Sequence, residues 1–373
     1  MKGKMKILCF YLPQFHRTKE NDLWWGEGYT EWIASKAAVP LYKGHEQPRI
    51  PLNNNYYDLS DEQAVAWQWQ SELAKSYGIY GFCIYHYWFT GRQLLEKPME
   101  ILLSHKEINI HYCICWANDT WKRTWHGHDG NEVLCEQKYG GKKDWIEHFQ
   151  YLLPFFRDER YIKVENKPMV NIYNVEDIDC LAEMSKCWNE LAKEYGFSGI
   201  YFVGKNALEE STLKNPYLNA FYNFEPQRAM WSRRNRLYCE IFVAGKIRLL
   251  KFFSQILKKE FFQHKYNIKR VYHLILTEKI SKKKKVFLGL FPAYDDTPRR
   301  QKEGVVYEGA SPELFEKALY KLLKKSFHLG NEYIYINAWN EWGETAYLEP
   351  DEKNEYAYLE AVKSAQQRFE GEK

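Results

Sequence analysis

The chain has 373 residues, 45% hydrophobic and 27% charged, with a formal net charge of +4, ordinary values for a soluble globular protein of one large domain or two small ones. No run of about 18 apolar residues occurs, so nothing is expected to span a membrane. Aromatic residues make up 17%, with 14 Trp, 29 Tyr and 21 Phe, which suits either an aromatic core or a groove lined with rings. The charge is uneven. Residues 228–285 hold 17 Lys/Arg against 3 Asp/Glu, a local +14 that leaves −10 for the rest of the +4 chain.

The N-terminal apolar run is too short for a signal peptide and lacks a small-residue cleavage site, so it reads as a first strand over 6–12, and the protein is expected in the cytoplasm. Further short apolar runs follow at 78–86, 110–116, 168–173, 199–204, 219–224, 286–291 and 333–337. Helical patterns lie between several of them. One opens at Ser60, a candidate N-cap, and stops at Gly78; others cover 142–157, 179–195 and 312–328, the last with Ser311-Pro312 at its start. Eight strands alternating with helices predict an α/β fold, a single (β/α)8 TIM barrel over 1–373 with a basic helical insertion at 228–285 between strands 6 and 7. A doubly wound sheet is the competitor, but no glycine-rich phosphate loop follows any strand. Cys9, Cys83, Cys113 and Cys115 fall inside strands without CxxC spacing, as reduced buried thiols do.

In such a barrel, chemistry lies just past the C-terminal ends of the strands. Unusual residues gather there: Trp24 and Glu31 after strand 1, His86 and Trp88 at strand 2, and Trp116, Asn118, Asp119 and Arg123 at strand 3. Asp295 and Arg299 follow strand 7, and Asn337, Trp339, Asn340, Glu341 and Glu344 follow strand 8. Cleavage or transfer at an acetal carbon needs a proton donor at the leaving oxygen and a second carboxylate at the reacting centre. Trp faces stack on sugar C–H surfaces, while amides and acids bond hydroxyls. Glu341 and Glu344 are therefore the catalytic candidates, and the others are candidates for substrate binding. The plainer reading of Asn118 or Asp119 is a helix cap, of His86 a satisfied core histidine, and of Asp295 with Arg299 and Arg300 a structural ion pair.

These same residues resemble the WbsX family of glycosyltransferases, related to glycoside hydrolase family 99. The resemblance runs from Tyr11-Leu12-Pro13-Gln14-Phe15-His16 to Leu348-Glu349-Pro350-Asp351, through Trp116-Ala117-Asn118-Asp119, Asp295-Asp296-Thr297-Pro298-Arg299-Arg300 and Asn337-Ala338-Trp339-Asn340-Glu341-Trp342. It implies a (β/α)8 barrel and a place in bacterial O-antigen or capsule assembly. The related hydrolases are retaining endo-α-mannosidases with an E-W-x-E motif, to which Glu341-Trp342-Gly343-Glu344 is similar. By that resemblance Glu341 acts as base on the sugar 2-hydroxyl, giving a 1,2-anhydro intermediate. Glu344 protonates the leaving oxygen and then activates the incoming nucleophile. Gly343 departs from the bulkier polar residue of the hydrolases, which bears on a substrate contact. Asn337 or Asn340 is expected to supply the polar partners of the base.

Three readings stand side by side: a transferase, a retaining endo-acting α-mannoside hydrolase, and a non-catalytic glycan-binding barrel, which would not need both Glu341 and Glu344. The expected partners are an oligosaccharide or lipid-linked glycan and, for transfer, a nucleotide-sugar donor. No cofactor or metal is expected; His126-Gly127-His128-Asp129 lacks the spacing of a zinc or calcium site. Residues 238–262 place apolar side chains at helical spacing with Lys between, which suits peripheral contact with an anionic membrane face as well as an ordinary covering helix. Nucleic acid is not expected, since no RRM, helix-turn-helix or zinc-finger signature occurs and the body is acidic.

Overall fold

The computed structural model describes residues 4–123, 132–206, 210–232 and 264–372, besides Gly245, Arg248 and Leu249. Eight parallel strands form a closed ring: β1 Lys6–Tyr11, β2 Gly81–Phe89, β3 His111–Trp116, β4 Lys167–Ile172, β5 Tyr201–Lys205, β6 Ala220–Tyr222, β7 Lys285–Leu290 and β8 Tyr333–Ile336. Each pairs with its neighbour in sequence, and β1 closes the ring, with Leu8 opposite Gly81 of β2 on one side and Tyr335 of β8 on the other. This is the expected (β/α)8 barrel. Parallel strands with both faces covered bury nearly every residue, and the runs KILCFY and KVFLGL expose only their leading lysines.

The barrel lumen is filled by rings. Tyr222 stacks on Tyr335 at 5.2 Å, and Phe10 meets both of them and Tyr85 at 5.3–5.7 Å. Much of the aromatic content is thus core. All seven described cysteines are free thiols, and burial pushes the Cys9 thiol far above its ordinary pKa.

The helices Lys142–Arg157, Leu181–Glu194 and Pro312–His328 fall where expected, and Ser311 Oγ caps the third by accepting from Leu314 N at 3.3 Å. Two expectations shift. The helix after β1 begins at Val65, not at Ser60; Ala64 precedes it in a left-handed conformation, and the nearest side-chain acceptor is Asp61, 3.4 Å from Val65 N. Strand β2 begins at Gly81 because Gly78, at φ +85°, still belongs to the helix end, where Ile79 N bonds back to Ala74 O at 2.9 Å.

Of the basic segment, the structure places the short helix Gln227–Trp231, the strand Lys265–Asn267 and the helix Ile268–Thr277. Lys265–Asn267 pairs in parallel with Val306–Glu308 at the barrel mouth. Lys284 turns inward to the Leu218 carbonyl at 2.6 Å rather than into solvent. Apart from Gly245, Arg248 and Leu249, the 238–262 stretch lies outside the described residues, as does His126-Gly127-His128-Asp129. Among the described residues no helix is long and apolar enough to cross a membrane.

Candidate active site

The loop after β8 is pinned to the barrel before it delivers its carboxylates. Asn340 Oδ1 accepts from Leu12 N at 2.8 Å and its Nδ2 donates to Leu12 O at 3.0 Å, which ties the loop to the end of β1. Asn340–Glu341 then pairs antiparallel with Ala346–Tyr347 around a single turn, Trp342–Glu344. Trp342 stacks on Tyr347 at 3.8 Å and donates from Nε1 to Glu349 at 2.6 Å. A short hairpin locked in this way fixes where Glu341 and Glu344 project.

Both project to one guanidinium. Arg299 donates from Nη2 to Glu341 Oε2 at 2.8 Å, from Nη1 to Glu344 Oε1 at 2.8 Å, and from Nε to Glu31 Oε1 at 2.6 Å. Glu31 and Arg299 are buried, and Glu344, with 23% of its side chain exposed against 7% for Glu341, is the more open of the pair. The planar fork of an arginine suits this arrangement, since each nitrogen addresses a different carboxylate without rotation. The arginine is itself held by its backbone. Asp295 N donates to Glu344 O at 2.7 Å, and Asp295 accepts from His45, Gln47 and Thr297 at 2.6–3.0 Å.

Gly343 explains why this crowding is possible. A Cβ there would sit 1.9 Å from Glu31 Oε1 and 2.5 Å from Arg299 Nε. The space that a side chain at this position would need is filled by the Glu31–Arg299 pair. The departure from a bulkier residue in the E-W-x-E motif therefore has a structural cause within this chain.

The electrostatics follow from three acids around one base in a dry site. Burial first, then the neighbouring Glu344 and Glu31, push Glu341 up to about 8 against the opposing pull of Arg299. Burial disfavours the arginine's charge, yet Glu31, Glu341 and Glu344 hold its pKa well above the ordinary range. Asp295 differs: burial pushes it up, but hydrogen bonds from His45, Thr297 and Gln47 hold it below its usual value.

The remaining sequence candidates divide. Trp24 and Arg123 form one wall of the mouth: the Trp24 carbonyl accepts from Arg123, and Trp24 meets Trp121 edge-on at 5.6 Å. Trp121 in turn touches Tyr87 at 5.0 Å. Arg123 also pairs with Glu132 at 2.7 Å. Asp119, partly buried, accepts from Asn174 and has its pKa raised by burial.

Other candidates are engaged elsewhere. His86, Trp88 and Trp116 lie on the outer face of the barrel, under the helix Lys142–Arg157. His86 Nε2 lies 2.8 Å from His148 Nε2, Trp88 stacks on His148 at 4.5 Å, and Trp116 meets His148 edge-on at 5.0 Å. The two-residue period of the strand puts Tyr85 and Tyr87 inside instead. Asn118 joins the loops after β3 and β4 through Asn174 O at 2.7 Å and Asn174 N at 2.8 Å. Trp339 is fully buried against Phe82 at 5.1 Å. Asn337 donates to Glu225 O at 3.1 Å, so Arg299, not Asn337 or Asn340, is the partner of Glu341. The Asp295 carboxylate is taken up by His45, Gln47 and Thr297, and Arg300 pairs with Asp296 at 3.4 Å.

Several further residues lie near this site: Tyr85, Tyr87 and Glu225 stood out in sequence at strand ends without being assigned a role, and Tyr173 and Lys205 did not stand out. The Tyr85, Tyr87 and Tyr173 phenols feel the Glu341 charge and rise far above their usual pKa, chiefly by burial. Lys205, the last residue of β5, lies with its Nζ 3.1 Å from the Tyr173 ring centroid. Glu225, just after β6, is pushed up to about 8 by burial and accepts from Ala229 N at 2.8 Å. The available signal was position: each residue ends or follows a barrel strand. Among the described residues no group of three His, Cys, Asp or Glu side chains is arranged to hold a metal ion.

The chain is thus a (β/α)8 barrel with a carboxylate pair at the C-terminal end of its strands. Residues 7–362 match the family model described as Glycosyltransferase WbsX, and the chain belongs to that family. It is 30% identical over 365 residues to the uncharacterized protein WxcX of Xanthomonas campestris pv. campestris strain B100, covering 96% of this chain and 49% of that one. The counterpart in strain ATCC 33913 is 29% identical, so the chain spans about half the length of the curated relatives it matches. Among solved structures, the GH99 endo-α-mannosidase from Bacteroides thetaiotaomicron superposes with a TM-score of 0.55 at 13% identity, over 98% of this chain and 97% of that one. A glycoside hydrolase-like protein gives 0.55 at 11% identity, over 98% and 95%. At these identities the likeness is one of fold.

Proposed function

We propose that this protein transfers a sugar onto an oligosaccharide or lipid-linked glycan in the assembly of a bacterial surface polysaccharide of O-antigen or capsule type. Glu341 and Glu344 carry the chemistry. The observation that supports this most is the carboxylate pair beyond β8, held on one guanidinium and backed by a third acid, Glu31. A purely glycan-binding barrel gains nothing from crowding three carboxylates into a desolvated site, which costs stability.

By the resemblance stated above, Glu341 takes the proton of the donor sugar's 2-hydroxyl as O2 attacks C1, and Glu344 protonates the departing glycosidic or phosphate oxygen. The acceptor hydroxyl then gives its proton to Glu344 and attacks C1. The C1–O2 bond opens, and O2 recovers its proton from Glu341. Glu344, the more exposed acid, is placed to meet both leaving and entering groups. The same two steps with water as acceptor make a retaining hydrolase, and the E-W-x-E spacing favours keeping that second reading.

The test is mass spectrometry of a reducing-end-labelled or lipid-linked glycan incubated with the enzyme and a panel of nucleotide sugars. A gain of one sugar mass supports transfer and names the donor; loss of mass without any nucleotide sugar supports hydrolysis. Glu341→Gln and Glu344→Gln are each expected to abolish either change while the protein stays folded. Full turnover in either variant removes the mechanism.

A further inference from the structure

Lys205 ends β5 on the inner face of the barrel. Phe202 packs outward on Trp188 at 6.0 Å, and the alternation of the strand therefore turns Val203 and Lys205 inward. Its ammonium lies over the Tyr173 ring at 3.1 Å and 5.9 Å from the Phe224 ring. Tyr173 in turn meets Tyr85 edge-on at 6.4 Å, and both phenols sense the charges of Glu341 and Glu344. Lys205 and the carboxylates thus share one floor of tyrosines. The acids and Arg299 stand on the β7–β8–β1 side of the mouth, and Lys205 with Asp119 stands on the β3–β5 side.

The ammonium is under-served where it lies. It carries three donors, yet among the described residues it makes no hydrogen bond and no ion pair; its contacts are the two ring faces. Cation–π contact recovers only part of the lost hydration. Burial lowers its pKa to about 8, and Asp119 and Asp177 act on it only through space. A half-buried cation at the inner end of β5, on the same tyrosine floor as Glu341 and Glu344 and without a hydrogen-bond acceptor among the described residues, is placed to receive an oxyanion.

We infer that Lys205 is a specificity-determining residue that binds an anionic group of the substrate, a carboxylate or phosphate oxygen, in the same cleft as Glu341 and Glu344. This rests on the glycan-processing reading of that cleft. A carboxylate would come from a uronic acid unit of the glycan, a phosphate from the activated end of a sugar donor. Either would accept hydrogen bonds from Nζ and favour the charged form of the lysine.

The experiment is isothermal titration of the full chain with three probes: a neutral manno-oligosaccharide, an oligosaccharide of equal length carrying one hexuronate, and a nucleoside diphosphate. Lys205→Met keeps the length and removes the charge, and Lys205→Arg restores it. The expected result is that one anionic probe binds wild type and loses roughly ten- to a hundredfold in affinity in Lys205→Met, as for a charged hydrogen bond. Lys205→Arg recovers most of this, and the neutral glycan is unaffected. The probe that responds tells carboxylate from phosphate. Side-chain NMR supplies a second readout: the anionic probe, and not the neutral one, should lift the Lys205 titration above its free position. Neutral glycan binding with no anionic preference, or equal anion binding by Lys205→Met, overturns the inference and leaves the glycan reading standing. Failure of all three probes to bind overturns both.

Discussion

Arg299 and Glu341, from the loops after β7 and β8, meet at 2.8 Å between Nη2 and Oε2, in a site that also brings Glu31 and Glu344 onto the same guanidinium. One positive charge is shared by three carboxylates, and burial pushes Glu341 up to about 8. Arg299 fixes the geometry of the pair and at the same time limits how far Glu341 rises.

Removing that cation should cost more stability than any single acid does. Arg299→Met leaves two buried carboxylates and the partly exposed Glu344 without their shared partner, and breaking a buried pair from one side costs about 3–5 kcal/mol. The deficit should shrink on acidification, because protonated acids no longer need the cation. Urea denaturation of wild type and variant at pH 5 and pH 7.5 reads this directly. An equal deficit at both pH values would mean that lost packing, not lost charge, is responsible.

Gly343→Ala should disturb the site more than a methyl group normally does. Its Cβ would come within 1.9 Å of Glu31 Oε1, closer than any relaxed contact allows, so the Glu31–Arg299 bond must open. Activity is expected to fall at least tenfold, with a stability loss of about 1–3 kcal/mol, the usual range for overpacking. Glu31→Ala alone also destabilises, but the double variant should recover part of the Gly343→Ala loss, because the clashing partner is gone. Strictly additive losses in this double-mutant cycle would separate the two residues.

The fold was legible in the sequence because eight apolar runs, each too short for a helix, alternate with helical patterns and end near their observed limits. The acid pair proposed for catalysis stood out because two acids bracket Trp342-Gly343 past the last strand. Which way strand 2 faces was not. Tyr85, His86, Tyr87 and Trp88 are all large and ring-bearing, so nothing in their chemistry says which alternate pair lines the lumen; the His86–His148 contact across 62 residues decides it. Asn118 and Asn340 have the composition of sugar ligands and serve as ties between loops. Glu31 and Arg299 were each noticed, but their union spans 268 residues and depends on the absence of a side chain at Gly343.

The pH profile distinguishes the roles of the two acids. Glu341 is held near 8, so at neutral pH most of it carries a proton in the free enzyme. A base must be ionised, and kcat/KM should therefore rise with pH through about 8. Arg299→Lys, which weakens the pull toward the ionised form, should move that limb to higher pH. A profile that instead falls through the same region would give Glu341 the acid's role and Glu344 the base's.

The histidine pair under the helix Lys142–Arg157 predicts a separate acid sensitivity. Burial pushes His86 down to about 3 and His148 well below its ordinary value, so both stay neutral in the folded protein. Unfolded, each takes a proton near pH 6.5, so the unfolded state binds more protons below that value and stability declines as the pH falls from about 6.5 toward 3. Each histidine contributes a slope of up to about 1.4 kcal/mol per pH unit. Replacing both with Leu removes the two titrations together and leaves no unpaired nitrogen. The double variant should lose stability less steeply than wild type between pH 6.5 and 4 in urea denaturation. Its KM for glycan should be unchanged, because both rings lie outside the barrel lumen. An unchanged slope would mean that neither histidine differs in protonation between the folded and unfolded states.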